Sequence, residues 1–151
     1  MLLATEYLPK IERCIQSLHD EDIWWRPNEA SNSIGNLILH LCGNVSQWII
    51  EGVGGRPFER RRQQEFDERH PVPGQELLRR IRTVVGEAVD VIGAVPVDGL
   101  TAPRRIQGYD VTVLDAIYHV VEHFSMHTGQ IIWIAKARTG ADLSLWNPPT
   151  P

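Results

Sequence analysis

Long apolar runs, a basic excess, paired cysteines and internal repeats are all missing from this sequence, and each absence removes a class of protein. No stretch approaches the roughly eighteen apolar residues that a membrane-spanning helix needs; the candidate at residues 45–53 is broken by Ser46, Gln47 and Glu51. Lysine and arginine together number 15 against 19 acidic residues, and the formal net charge of −4 is the wrong sign for a general nucleic-acid binder. The start, Met1-Leu2-Leu3-Ala4-Thr5-Glu6, lacks a basic segment, and Glu6 and Lys10 interrupt it, so it does not read as a secretion signal. The two cysteines, Cys14 and Cys42, show no CxxC spacing. Each lies among apolar neighbours at a helix-like position, which reads as a buried, reduced thiol. These absences point to a cytoplasmic protein with neither membrane nor nucleic acid as its partner.

What is present suffices for one domain over residues 1–151, with 42% hydrophobic and 23% charged residues supporting a single well-buried core. Leu8, Ile11, Ile15 and Leu18 recur at spacings of three and four, which predicts an amphipathic helix over residues 1–18. Ser31, Asn32 and Ser33 are candidate caps for a second helix. Its stripe runs Ile34, Leu37, Ile38, Leu41, Val45, Trp48 and Ile49, and it stops at Gly52. Residues 56–73 are charged and aperiodic, a long surface connection with room for one helical turn. A third helix is expected over residues 74–95, with Leu77, Leu78, Ile81, Val84, Val85, Ala88, Val89 and Ile92 inward and Pro96 ending it. Residues 97–110 carry Gly, Pro and Asp, with space for a short extended piece. Thr112-Val113-Leu114-Asp115 has the form of a capping box and opens a fourth helix that runs to about Arg138. Four helices without a convincing alternating strand make an all-α four-helix bundle.

Chemistry concentrates in the second and fourth helices. His119, His123 and His127 recur every four residues, so neighbouring members share a face, each about 40° past a full turn. His40 falls inside Leu37-Ile38-Leu39-His40-Leu41. A lone histidine near an apolar stripe is ordinarily a satisfied core or surface residue, but four of them on two helices that can face each other suggest a shared ion. Neutral imidazoles suit zinc, nickel, copper or iron rather than magnesium or calcium. The three histidines of the last helix span ~12 Å of axial rise, too far for bonds near ~2 Å to one ion. His40 with two of the three is the economical set, and the third becomes a supporting group or a wall of the pocket. Glu122 points roughly 100° away from His123 and reads as a surface residue.

Several of these stretches carry a likeness to a known family. Asn32-Ser33-Ile34-Gly35-Asn36-Leu37 running into His40-Leu41-Cys42-Gly43-Asn44 and Trp48, then Arg60 to Glu65-Phe66, then His119-Val-Val-Glu-His-Phe-Ser-Met-His-Thr-Gly-Gln, resemble the DinB-like superfamily in a small uncharacterised branch. The likeness covers nearly the whole chain. It implies a DinB-like bundle of up-down-down-up connectivity with a long connection after the second helix. It also implies a divalent metal on one histidine of helix two and two of helix four, here His40, His123 and His127. Relatives include enzymes that depend on low-molecular-weight thiols, such as mycothiol-linked isomerases and bacillithiol transferases. The expected function is therefore metal-assisted thiol transfer or isomerisation on a small-molecule substrate, with zinc or nickel as the ion. The rival is a non-catalytic metal-binding or stress-linked dimeric binding protein.

The remaining features receive blander expectations. Arg60-Arg61-Arg62, with Arg56 nearby, is balanced by Glu59, Glu65, Asp67 and Glu68 and reads as a solvated charged connection. Its functional alternative is a guanidinium gripping a substrate carboxylate. Trp48 and Trp133 are expected in the core. Trp24 or Trp25 is expected to line a pocket mouth or, with Trp146, to form a patch that joins two copies as a homodimer. Gln130 and Asn44 are candidates for orienting the site by hydrogen bonds.

Overall fold

A computed structural model describes residues 1–146; the Pro-rich tail at residues 147–151 lies outside the described residues. The chain is mostly helical, and none of its described helices is long and apolar enough to cross a membrane. The first helix is not continuous. A π-helical stretch, Leu3–Tyr7, leads into α1, Leu8–Gln16. Pro9 has no N–H to give to Thr5, and the Leu8 N–H reaches back to the Leu3 carbonyl instead. A single turn, α2, Asp20–Ile23, follows. Its Asp20 carboxylate accepts the Gly74 N–H at 2.9 Å and so ties this turn to the start of α5, Gly74–Gly93.

The second expected helix forms as read. Ser33 caps α3, Ile34–Val45, in a reciprocal box with Asn36, and the helix continues as a π-helical stretch, Ser46–Glu51, to Gly52. All seven residues of its predicted stripe are buried. The 56–73 connection contains a short helix, α4, Arg62–Asp67, which lies against α3. After α5 and a 3₁₀ turn, Val97–Thr101, the short extended piece for which residues 97–110 had room becomes a hairpin, which the all-α expectation did not include. Strands β1, Pro103–Ile106, and β2, Tyr109–Thr112, pair antiparallel with Ile106 opposite Tyr109. Gln107 and Gly108 between them both take positive φ, 52° and 84°, the two-residue turn that matches strand twist. Thr112 then caps α6, Val113–Thr139, with Asp115 at the third position, and Gly140 closes it at φ 63°.

The long helices enclose the core pairwise, α3 against α5 and α6, and α1 against the same two. Ile11, Ile38, Leu41, Leu78, Ile81 and Phe124 are fully buried between them, each worth roughly 1.5–3 kcal/mol of apolar transfer. The tryptophans divide differently from the sequence expectation. Trp48 is buried as expected, whereas Trp133 is 61% exposed on α6. Trp24 does not stand at a pocket mouth: it is buried, donates from Nε1 to the Val72 carbonyl at 3.0 Å, and lies where a side chain at Gly35 would be. Trp25 is partly buried under the Arg138 guanidinium, and Trp146 is exposed.

Candidate metal centre

His40 sits on α3 where that helix meets α6, flanked by buried Ile38 and Leu41, and is itself only 4% exposed. Across from it, His123 and His127 stand one turn apart on α6. Ring nitrogens of these three histidines lie within 4.8 Å of one another, an arrangement that could hold a divalent ion. Two nitrogens bound to one ion at ~2.0–2.1 Å are about 2.8–3.4 Å apart for angles between roughly 90° and 109°. His40 Nε2 and His123 Nε2 are 2.9 Å apart.

His127 supplies the sharper observation. Its Nδ1–H donates to Gln130 Oε1 at 2.6 Å, which leaves Nε2 as the bare lone pair. That Nε2 is buried and has no hydrogen-bond partner among the described residues. An unsatisfied buried polar atom costs on the order of 1–3 kcal/mol, and an ion beside His40 and His123 would satisfy it. Among the described residues no fourth His, Cys, Asp or Glu joins this cluster.

His119, the extra histidine of the run, stands apart. Its ring lies over Trp48 with centroids 4.0 Å apart, and its Nε2 accepts from Asn44 Nδ2 at 3.3 Å. Asn44 thus orients His119 rather than a residue of the cluster, while Gln130 does hold a cluster histidine. His119 and His123 border a cavity of ≈ 440 Å³ together with Glu122 and Met126.

Arg60 and Glu65 are the residues that the sequence reading placed wrongly. Both belong to the charged 56–73 connection, yet their side chains are only 4% and 11% exposed. The Arg60 guanidinium forks onto Glu65 with two bonds of 2.8 Å and donates to Gln47 Oε1 at 3.0 Å. Glu65 Oε2 in turn accepts from His40 Nδ1 at 2.8 Å, and Phe66 packs on the His40 ring at 4.6 Å between centroids. A guanidinium that grips a carboxylate is present, but the carboxylate is the chain's own. The signal that could have found this pair is its place in the middle motif of the family likeness.

Burial governs the electrostatics here. It lowers the His123 pKa to about 3, helped by the neighbouring His127 and His40 rings. It lowers His127 and His119 as well. Burial works to raise Glu65, but the hydrogen bonds from Arg60 and His40 outweigh it and hold the carboxylate below its usual range. Burial thus favours the uncharged form of His119, His123 and His127, the protonation state that metal ligation needs. Burial raises both thiols, Cys14 to about 11 and Cys42 to about 12, so neither is a ready nucleophile.

The fold has a solved counterpart. A DinB-like protein from Bacillus cereus ATCC 10987 superposes with a TM-score of 0.69 over 92% of this chain and 89% of its own, at 18% identity. No curated protein sequence matches the chain. The model of the family described as "Protein of unknown function (DUF1572)" matches residues 4–148, so the chain belongs to that family, and its fold is that of a DinB-like protein.

Proposed function

We propose that residues 1–151 form one DinB-like domain, a four-helix bundle of up-down-down-up connectivity, which holds a single zinc or nickel ion on His40, His123 and His127. The observation that carries this reading is His127 Nε2, buried and unpartnered within reach of the other two ring nitrogens. Gln130 Oε1 accepts the Nδ1 proton of His127, so that ring turns its lone pair inward. A bound ion of this kind lowers the pKa of a coordinated thiol or water toward neutrality.

Three protein ligands with an open position are the mark of catalytic rather than structural sites. The cavity beside His123, ≈ 440 Å³, falls within the range of small-molecule sites, roughly 300–1,000 Å³. These features support thiol transfer or isomerisation on a small-molecule substrate with a low-molecular-weight thiol, in the cytoplasm. A second reading, non-catalytic metal binding in a stress-linked protein, is favoured by the near-complete burial of His40 and His127, which leaves only His123 of the three at a cavity wall.

The test is a conjugation screen. Protein prepared without a nickel column and loaded with zinc is offered low-molecular-weight thiols with small electrophiles, and thiol consumption is followed. Turnover that needs the ion and is lost in His123→Ala supports the enzyme. Stoichiometric zinc with no turnover for any pair favours the binding protein.

A further inference from the structure

We propose that Glu65 is a positioning residue, whose carboxylate holds His40 in the tautomer that leaves Nε2 bare toward His123 and His127. The inference rests on the metal reading above and extends it to a residue outside the triad.

His40 Nδ1 has two neighbours with opposite demands. Glu65 Oε2, at 2.8 Å, can only accept and so requires Nδ1–H. Arg60 Nη2, at 3.1 Å, can only donate and so requires a bare Nδ1. With the proton on Nδ1, His40 Nε2 offers its lone pair to an ion. With the proton on Nε2, it donates across 2.9 Å to His123 Nε2 and closes the site with a hydrogen bond. The two forms exclude each other. The bond to an ionised carboxylate is charge-assisted and the shorter of the two. Arg60 already has two bonds to Glu65 and one to Gln47. The balance falls to the Nδ1–H form as long as Glu65 stays in place.

Glu65 stays there because of a gap on α3. Gly43 follows His40 by three residues on the same face, and a Cβ at Gly43 would lie 2.0 Å from Glu65 Oε1. Any larger residue would push the carboxylate away from the ring. The backbone around Glu65 is anchored as well: Asn36 Nδ2 donates to the carbonyls of Glu65 at 3.0 Å and Glu68 at 3.1 Å. A single polar assembly thereby seats the 56–73 connection and sets the tautomer of His40.

Two measurements test this on the full chain. In metal-free protein, long-range ¹H–¹⁵N correlation spectra report which nitrogen of His40 carries the proton. Zinc competition against a chelator gives Kd. Wild type should show Nδ1–H. Glu65→Ala should shift His40 toward Nε2–H and weaken zinc about 10–100-fold, with Glu65→Gln between the two. Gly43→Ala removes no polar group and introduces a better helix former. It should retain the helical circular dichroism yet weaken zinc in the same direction, which a purely structural role for Glu65 would not produce. The proposal is overturned if wild-type His40 carries its proton on Nε2. It is equally overturned if Glu65→Ala and Gly43→Ala both bind zinc within about twofold of wild type. A wild-type chain that binds no zinc sinks the metal reading instead, and the tautomer comparison then decides alone whether Glu65 sets the ring.

Discussion

At the scale of single residues, His123 shows how burial makes stability depend on pH. Its pKa lies at about 3 against an ordinary 6.5, because burial and the adjacent imidazoles penalise the charged ring. The unfolded chain therefore takes up this proton before the native one does, and stability must fall as pH falls. In metal-free protein the loss begins as pH drops through about 6.5 and continues toward about 3. His127 and His119 shift in the same direction and add to the same slope. Urea midpoints measured from pH 7.5 to 4 should decline for wild type and decline less steeply for His123→Gln. Parallel curves for the two proteins would show that His123 is not buried in its neutral form. With an ion bound the same protons compete for the ligands, so metal release and the loss of any stability that it confers should coincide.

At the scale of elements, the helix that carries two of the three histidines depends on its first turn. Thr112 Oγ1 accepts the Asp115 N–H at 3.1 Å, and Asp115 Oδ2 accepts the Thr112 N–H at 2.8 Å. Thr112→Ala should destabilise the fold by about 1 kcal/mol in denaturant titration. Zinc affinity should be unchanged, since His123 lies eleven residues further along α6. An unaltered midpoint would mean that the hairpin, rather than the cap, fixes the start of α6. This cap was legible in the sequence, as were the Ser33 cap and the α3 stripe, because periodicity and capping are local. The hairpin was legible only as room for a short extended piece: its strands are four residues each, too short to alternate visibly, and its turn is Gln107-Gly108 rather than a stronger signal. Trp133 was misread because α6 is apolar on several faces, so a stripe could not tell inward from outward. Arg60 and Glu65 were misread because a charged stretch looks solvated until its pairing partner is known. That partner, His40, lies 25 residues before Glu65.

At the scale of the whole molecule, the face left to water also differs from expectation. Trp24 is buried, so the patch foreseen around Trp24, Trp25 and Trp146 is much reduced. Instead Leu114, Tyr118, Met126 and Trp133 are each more than half exposed along α6. Their spacings place them within about 120° of one another on the helix surface. The homodimer expected from the sequence would pair through this face instead, and its seam would run past the cavity at His123. Light scattering at micromolar concentration should return twice the 17.1 kDa chain mass. Met126→Lys with Trp133→Lys should return the monomer. A monomeric wild type would end the dimer proposal and leave the metal site untouched.

The proposed site joins two helices far apart in sequence around one ion on His40, His123 and His127. Its most direct measurement is the zinc stoichiometry of metal-stripped protein by equilibrium dialysis, wild type beside four single alanine variants. The expected result is one zinc per chain for wild type, severe loss in His40→Ala, His123→Ala and His127→Ala, and near-full binding in His119→Ala, whose ring packs on Trp48 instead. Wild-type binding no greater than that of His40→Ala, or a site lost in His119→Ala and kept in His127→Ala, would contradict it.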